Sequence, residues 1–350
     1  MNNTKFNIGN RAIGRGCLPF VIAELGINHG GSFSKAIKMI DVAKESGAEC
    51  VKFQSHDLED EMTEEARYVI PGNTSRSIYD VIESCLLSEK EEEKLKLYTE
   101  DQGLIFLSTP FSRKSANRLN DLGVEAFKIG SGECNNYPLI SHIARFGKPI
   151  ILSTGMNDLR SVSRAVEIIC GANIPYALLH CTSLYPTPYK FVRLGAMEIL
   201  QKQYPGAVIG LSDHSIGNYT SFASIALGAK IVEKHVTADK SWPGPDINIS
   251  LDPAELKELI NGVKAIHESL GGEKNVLDEE NVTSRFAYSS VVSIRKIRKS
   301  EVLSYENIWV KRPGTGEILA KEFDSLLGCK AVVDIDENSP LRWDQIELIN

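Results

Sequence analysis

Short apolar runs alternate with amphipathic segments through most of the chain. In the amphipathic segments apolar residues recur every three to four positions, which is the spacing of one face of a helix. The apolar runs are too short for helices and end in polar residues, which is typical of buried strands. The pattern predicts eight strands, at Pro19–Ala23, Cys50–Phe53, Leu104–Ser108, Ala126–Ile129, Pro149–Leu152, Tyr176–His180, Ala207–Leu211 and Lys230–Val236. It predicts helices at Ser34–Ser46, Glu89–Gln102, Ser115–Leu122, Pro138–Phe146, Asp158–Gly171, Leu194–Gln203 and Pro253–Leu270, with a further helical segment before Lys230.

Strands separated by helix-length segments predict a parallel sheet with crossover helices. Eight such strands are the number at which a parallel sheet closes into a barrel. An open, doubly wound sheet is the alternative, but it rarely needs eight parallel strands. The fold class expected is therefore α/β, a (β/α)8 TIM barrel followed by a small β-rich domain.

Three segments fall outside the alternation. Residues 1–19 form a polar leader. Residues 57–88 form a long polar excursion after the second strand, and loops of this length are usually functional or disordered, so we expect a lid or a binding loop. From Gly271 the composition turns polar, which indicates a linker. We assign residues 1–271 to the barrel, 272–287 to the linker and 288–350 to a small β-rich domain near the lower size limit of independent stability.

Composition narrows the function classes. The 350 residues carry a net charge of −7, so the protein as a whole has no electrostatic reason to bind nucleic acid or an anionic membrane. An anionic substrate would need a locally basic pocket. Seven cysteines without a C-x-x-C pair suggest reduced thiols. No apolar run has the length of a signal-peptide core or a membrane span, and we expect a cytoplasmic protein.

Two histidines stand at the ends of neighbouring predicted strands, His214 in G-L-S-D-H and His235 in K-I-V-E-K-H-V-T. The carboxyl ends of barrel strands are where this architecture builds active sites. Two imidazoles brought together there could hold a divalent metal. The alternative is two unrelated histidines, each hydrogen-bonded to backbone.

Other polar residues collect at the same predicted strand ends. Lys52 and Lys128, together with small hydroxyls and the glycine-flanked amides of Gly130–Gly132, could cradle a phosphate or carboxylate. The hydroxyls are those of Ser131, Ser153 and Ser212. Glu24 and Glu133 are candidates for acid–base work or metal-linked positioning. Such a set suggests an anionic phosphorylated substrate that meets a carbonyl polarised by a metal.

A combination of motifs spread over nearly the whole chain resembles the bacterial sialic acid (N-acetylneuraminate) synthase family. The motifs include E-L-G-I-N-H, V-K-F-Q-S-H, V-I-P-G-N, S-T-P-F-S, F-K-I-G-S-G-E-C-N-N-Y-P, L-S-T-G-M, Y-P-T-P, G-L-S-D-H, P-G-P-D and W-V-K-R-P-G. The resemblance implies a barrel joined to an antifreeze-protein-like (SAF) domain in a domain-swapped homodimer. It also implies condensation of phosphoenolpyruvate with open-chain N-acetylmannosamine, giving N-acetylneuraminic acid and phosphate, with a divalent metal that is typically manganese.

The resemblance also implies roles for single residues. His214 and His235 are similar to the metal ligands, Glu24 to a carboxylate beside the reacting aldehyde, and Glu133 to a carboxylate near the bond-forming centre. The implied phosphoenolpyruvate pocket consists of Lys52, Thr109, Lys128, Ser131, Ser153, Ser183 and Ser212. The implied sugar-binding set is Gln54, Asn73, Tyr185 and Asp246, with Arg312 of the partner subunit's small domain meeting the N-acyl group.

Some positions depart from the commoner family pattern, and alternatives stay open. Ser183 stands where many family members carry Asn, and Phe53 where they carry His. Synthases of legionaminic or pseudaminic acid, or of a 9-phosphate product, are therefore alternatives, although V-I-P-G-N with S-I-Y-D favours N-acetylmannosamine over trideoxy sugars. Two other classes are a Schiff-base aldolase using Lys128 or Lys52, and a non-catalytic sugar-binding protein.

Overall fold

The computed structural model describes residues 4–347. Residues 1–3 and 348–350 lie outside that range. The chain divides into two compact units, one up to Gly271 and one from Gly272 onward. The predicted linker, 272–287, belongs to the second unit and contains a 3-10 turn at Asp278–Glu280 and a helix at Asn281–Ala287.

The first unit is built around one sheet of eight strands, and all its recorded ladders are parallel. The strands are β3 (Phe20–Gly26), β4 (Cys50–Ser55), β5 (Ile105–Pro110), β6 (Phe127–Ile129), β7 (Ile150–Ser153), β8 (Tyr176–Cys181), β9 (Val208–Asp213) and β10 (Ile231–His235). The last strand of the series, β10, pairs with the first, β3, and β5 lies beside β6. The predicted (β/α)8 barrel is confirmed.

Helices fill the connections between the strands. Their bounds are α1 (Phe33–Glu45), α2 (Leu58–Glu61), α3 (Ile78–Glu83), α4 (Glu89–Asp101), α5 (Arg113–Asp121), α6 (Tyr137–Ala144), α7 (Leu159–Gly171), α8 (Tyr189–Val192), α9 (Gly195–Gln203), α10 (Tyr219–Ala226) and α11 (Pro253–Ser269). Several begin at a side-chain cap, such as Asp158 before α7 and Asp252 before α11, where a carboxylate accepts from a first-turn backbone N–H. Buried faces of these helices and the outer faces of the strands form the larger core.

Several strands end later in the chain than the sequence predicts. β4 continues to Ser55, two residues beyond the predicted end at Phe53, and β9 continues to Asp213 instead of stopping at Leu211. The polar residues near these ends stay in the ladder because their buried side chains find partners on neighbouring strands. Residues that were expected to follow these strands, such as Ser55 and Asp213, therefore belong to the strands themselves.

The segment predicted to be a polar leader is folded. Lys5–Ile8 (β1) and Arg11–Gly14 (β2) form an antiparallel hairpin. Its apolar side chains, including Ile8 and Ile13, are fully buried with Phe20 and Ile22 in a second, inner core. The hairpin therefore packs against the start of the barrel strands, opposite the end that carries His235. The hairpin was not predicted because hydrophobic alternation over two four-residue strands is a weak signal.

The excursion at 57–88 is folded. It contains α2, a 3-10 turn at Glu64–Tyr68, and α3, whose Val81 and Ile82 pack on Ile27. The small apolar cluster fixes part of the excursion beside the end of β3.

The second unit has a small core of its own. It contains the antiparallel pairs β11 (Ser290–Ser293) with β12 (Ile308–Lys311) and β13 (Lys330–Ala331) with β14 (Ile346–Glu347), and the helices α12 (Asn281–Ala287) and α13 (Phe323–Leu326). The predicted small β-rich domain is confirmed. Between residues 4 and 347 no helix combines the length and the apolar composition needed to cross a membrane.

Candidate active site

Strand register sets a row of charged side chains across three neighbouring strands. In the ladders, Glu24 of β3 stands opposite His235 of β10 on one side and opposite Lys52 of β4 on the other. On the far side of β10, Glu233 is the register partner of Ser212 on β9. Side chains alternate along a strand, so Glu233 and His235 point to the same side of the sheet. The fold thus brings carboxylates, a cation and an imidazole together.

The centre of the site is a buried cluster of two lysines and two glutamates. Lys52 Nζ lies 2.7 Å from Glu24 Oε2 and 3.7 Å from Glu233 Oε2. Lys128 Nζ lies 3.5 Å from Glu233 Oε1. The lysine side chains are only 4% and 2% exposed. Glu233 therefore bridges the two cations, and burial without such partners would be costly.

Three hydroxyl groups complete the cluster. Lys52 Nζ donates to Thr109 Oγ1 at 2.9 Å, and Lys128 Nζ donates to Ser153 Oγ at 2.8 Å. Ser212 Oγ donates to Glu233 Oε1 at 3.0 Å. The cluster therefore presents ammonium groups and hydroxyls in one place, the donors that bind carboxylates and phosphates.

The carboxyl groups of the cluster differ in their pKa shifts. Burial raises the pKa of Glu24, and the neighbouring Lys52 only partly opposes this. Burial also acts to raise the pKa of Glu233, but Lys128 and Lys52 outweigh it and bring the value to about 2. The neighbouring lysines thus favour the ionised form of Glu233, whereas burial favours the protonated form of Glu24.

A second group of hydroxyls surrounds a glycine after β7. Gly155 N donates to Ser131 Oγ at 3.0 Å. A Cβ at this glycine would stand 2.8 Å from Ser131 Oγ and even closer to Ser183 Oγ. Only glycine allows both serines to approach the backbone this closely.

His214 and His235 lie side by side, with ring centroids 5.4 Å apart. Tyr185 stacks on His214 at 4.2 Å and meets His235 edge-on at 6.1 Å. His214 Nδ1 lies 3.1 Å from Thr182 O, so it carries the hydrogen and leaves Nε2 with a free lone pair. His235 Nδ1 is buried without a hydrogen-bond partner, 3.9 Å from Asp246 Oδ2.

This donor set fits a divalent metal held by two imidazoles. A free Nε2 lone pair and an unpartnered buried nitrogen are what such an ion would need from the two histidines. Within the described part of the chain, no group of three or more His, Cys, Asp or Glu side chains has a metal-binding arrangement. Oxygen atoms of water or substrate would therefore have to complete the coordination shell.

The histidines are carried by segments that a buried ion pair holds together. Lys234 Nζ lies 3.0 Å from Asp213 Oδ2, and both side chains are fully buried. Asp213 also accepts from the hydroxyls of Thr220 and Ser221 and from the backbone of Ser215. Each partner is the residue directly before a histidine, so the pair fixes the ends of both strands.

A cavity of about 290 Å³ opens beside Gln54, whose Nε2 donates to Glu24 Oε1 at 3.2 Å. Its polar lining consists of Gln54, His56, Glu61, Asn73, Thr74 and Asp246. Much of the remaining lining is apolar, contributed by Ile27, Met62, Pro71, Ile78, Val81 and Phe111. The cavity suits a ligand with polar groups on one side and methyl groups on the other.

Comparison with known proteins identifies the family. The NeuB family model matches residues 39–275, and the SAF domain model matches residues 288–347. The chain belongs to the NeuB family. It is 38% identical to the N,N'-diacetyllegionaminic acid synthase of Campylobacter jejuni, over 92% of this chain and 98% of that protein. It is 32% identical to the human N-acetylneuraminate-9-phosphate synthase, over 94% and 92% of the two chains. The crystal structure of N-acetylneuraminic acid (sialic acid) synthetase from Leptospira borgpetersenii, at 33% identity, covers 80% of this chain and 95% of that one with a TM-score of 0.73.

Most residues predicted for the site of this NeuB-family chain lie around the barrel mouth. The inner cluster contains Glu24, Lys52, Thr109, Lys128, Ser153 and Ser212. The histidine pair contains His214, His235 and Tyr185, with Asp246 beside it, and Ser131 and Ser183 flank Gly155. Gln54 and Asn73 line the cavity. Their functional roles stay predictions.

Two predicted site residues lie elsewhere. Glu133 lines a neighbouring cavity of about 350 Å³ together with Glu61 and Arg113, and it accepts from Asn136. Arg312 follows β12 in the second unit. Its predicted approach to the partner's barrel stays a prediction.

Sequence reasoning missed Glu233, the Asp213–Lys234 pair and His56. The strand period of two in E-K-H could have identified Glu233, since it places this residue on the same face as His235. The other residues depend on partners that are distant in sequence or on an unpredicted helix, so no local pattern indicates them.

Replacing Lys234 with Met should lower the free energy of unfolding by about 3–5 kcal/mol, because it leaves the buried Asp213 carboxylate without its cation. The measurement is urea denaturation of a double-mutant cycle, Lys234→Met, Asp213→Asn and both together. The double variant should recover part of the loss. Additive losses would mean that the two side chains do not act as a pair.

Proposed function

We propose that this NeuB-family chain is an N-acetylneuraminate synthase, a C–C bond-forming transferase. It condenses phosphoenolpyruvate with open-chain N-acetylmannosamine and water to give N-acetylneuraminic acid and phosphate. The observation that carries the proposal is the buried lysine–hydroxyl cluster, which lies directly beside Glu24 and the paired imidazoles. Relatives that match over nearly the whole chain are named as synthases of such nine-carbon acids, which supports an enzyme of this type.

The phosphoenolpyruvate would occupy the inner cluster. Lys52 and Lys128 supply positive charge, and Thr109, Ser153 and Ser212 supply hydroxyl donors, all on rigid strands. Ser131 and Ser183 beside Gly155 extend this polar surface. Burial strengthens such contacts with a carboxylate or phosphate because water does not compete.

The sugar would occupy the cavity lined by Gln54, Asn73 and Asp246, next to Tyr185 and the histidines. In the proposed reaction C3 of phosphoenolpyruvate attacks the aldehyde carbon, and water then adds at C2. The resulting tetrahedral intermediate breaks its C2–O bond and releases phosphate. Glu24 would hold a proton at the aldehyde oxygen, a role supported by burial, which raises the pKa of this carboxyl group. Glu133, in the adjoining cavity, is proposed only as an outer carboxylate.

The proposed cofactor is a divalent metal, manganese by resemblance to the family, held by His214 and His235. When bound, such an ion would polarise the aldehyde carbonyl. The two imidazoles lie within 5.4 Å of each other by ring centroid, which supports their sharing one ion.

A second candidate substrate is a 2,4-diacetamido trideoxy sugar, the precursor of a legionaminic-type acid. The apolar part of the cavity lining favours it, because a deoxy methyl group and a second acetyl group would both be buried there. The identity to the Campylobacter jejuni protein points the same way. A sugar 6-phosphate is disfavoured, since neither lysine nor arginine is among the residues that line this cavity.

Phosphate release with each of three sugars tests the function. With phosphoenolpyruvate present, N-acetylmannosamine should give the highest kcat/KM, ahead of its 6-phosphate and of the 2,4-diacetamido trideoxy sugar. Thorough treatment with EDTA should abolish release, and manganese should restore it. Undiminished activity without metal would contradict the metal role. A preference for the trideoxy sugar would establish the second candidate.

The chain is proposed to act as a domain-swapped homodimer in which Arg312 serves the partner's barrel. The motivation is the K-R-P-G-T-G segment directly after β12, together with the match to the SAF domain model. A guanidinium can hydrogen-bond an amide carbonyl with defined geometry. Arg312→Ala should therefore raise the KM for the sugar by roughly 10-fold, the loss of one charged hydrogen bond, and leave that for phosphoenolpyruvate nearly unchanged.

Mixing Arg312→Ala, assayed at a sugar concentration well below its KM, with the inactive variant His235→Ala tests the swap directly. Arg312→Ala and His235→Ala should complement each other after subunit exchange, because one site of the mixed dimer keeps both groups. A mixture no more active than its parts, with exchange shown independently by a mass-tagged subunit, would rule out the arrangement.

A further inference from the structure

A chain of side-chain contacts connects the excursion after β4 to the buried carboxylate of Glu24. Glu61 Oε2, on α2, lies 2.8 Å from His56 Nδ1. His56 Nε2 lies 3.1 Å from Gln54 Oε1, and Gln54 Nε2 lies 3.2 Å from Glu24 Oε1. The contacts therefore run without interruption from α2 to the inner cluster, where Glu24 meets Lys52.

The chemistry of the groups determines which way the Gln54 carboxamide points. Paired with Lys52 at 2.7 Å, Glu24 is a carboxylate in this arrangement and accepts only, so Gln54 must turn its NH2 group toward Glu24. The Gln54 oxygen then faces His56, which donates from both ring nitrogens, from Nε2 to Gln54 and from Nδ1 to the Glu61 carboxylate. With the amide reversed, two oxygen atoms would face each other at Glu24. His56 thus stabilises one of two possible orientations of a residue that lines the proposed sugar cavity.

His56 itself is held rigidly on two sides. Its ring stacks on Phe111 with centroids 4.4 Å apart and planes 11° from parallel. The side chains of His56 and Glu61 are only 6% and 9% exposed. A ring that is stacked on one face and hydrogen-bonded at one nitrogen has little freedom to turn. It can therefore hold the partner of its other nitrogen in one orientation.

The short helix that carries Glu61 is anchored in turn to α5. Asp57 caps α2 and pairs with Lys114 Nζ at 2.7 Å. Asp60 Oδ2 accepts from the backbone N–H of Lys114 at 2.7 Å. The excursion therefore begins with a fixed support for Glu61 and not with a loose loop.

We propose that His56, held by Glu61, is a positioning residue for sugar recognition: it orients the Gln54 carboxamide between Glu24 and the cavity. The proposal rests on the proposed function, in that the cavity takes the acylated sugar. It assigns the His56–Glu61 pair to binding of the sugar and not to binding of phosphoenolpyruvate. Lys52, Lys128 and their hydroxyls, which would hold phosphoenolpyruvate, do not depend on it.

The test compares the KM for the sugar with the KM for phosphoenolpyruvate in variants of His56. His56→Leu removes the donor, and the KM for N-acetylmannosamine should rise roughly 10-fold, the cost of one buried hydrogen bond. The KM for phosphoenolpyruvate should change less than about 2-fold on the same argument. His56→Gln, whose amide nitrogen can stand near the position of Nε2, should recover much of the sugar KM.

Glu61→Gln tests the outer contact. The swap keeps the shape but removes the charge, and we expect a smaller rise in the sugar KM with the phosphoenolpyruvate KM unchanged. Glu64→Gln is the matched control, the same swap in the same excursion on an exposed carboxylate that pairs with Arg67. It should alter neither KM.

The outcomes distinguish this inference from the proposed function. If the wild-type protein turns over none of the sugars tested, the proposed function is wrong. If it turns one over but Glu61→Gln and His56→Leu leave the sugar KM unchanged relative to Glu64→Gln, or move both KM values equally, the positioning role is overturned. Glu61→Gln decides the matter even if His56→Leu does not fold.

Discussion

The structure of the site depends on one electrostatic constraint, the bridging of two buried lysines by Glu233. Lys52 and Lys128 come from β4 and β6, which flank β5 in the barrel, and each is within 4 Å of the same Glu233 carboxylate. Without it, two ammonium groups would be buried close together with only Glu24 to balance them, which burial makes very unfavourable. The Glu233 carboxylate therefore allows the fold to keep two positive charges at buried positions inside the barrel.

The same constraint links stability to chemistry. A pocket that must receive an anionic substrate needs cations, and a barrel interior tolerates cations only when they are paired. The chain meets both needs by surrounding the lysines with hydroxyls and with carboxylates of unequal pKa. A second buried pair, Asp213 with Lys234, lies directly beside the histidines in sequence and holds their strand ends in place. Charge pairing thus supports both halves of the site.

The barrel itself could be predicted because eight apolar runs alternate with helical periodicity. The ends of the strands could not, since buried polar residues such as Ser55 and Asp213 look like loop residues until their partners are known. The N-terminal hairpin was missed because its strands are too short to show a period. Most of the site residues lie in recognisable motifs and were predicted, but Glu233 was missed although it lies in E-K-H beside His235. The role of His56 depends on Glu61 and Phe111, which only the tertiary structure brings to it.

The proposed function requires that the Lys52–Lys128 cluster holds phosphoenolpyruvate, and a crystal structure of the protein soaked with this compound would show where it binds. We expect its carboxylate or phosphate oxygens to lie within hydrogen-bond distance of Lys52 Nζ and Lys128 Nζ and of at least one of the hydroxyls of Thr109, Ser153 and Ser212. Phosphoenolpyruvate bound at another place, with both lysines still paired only to Glu24 and Glu233, would contradict it.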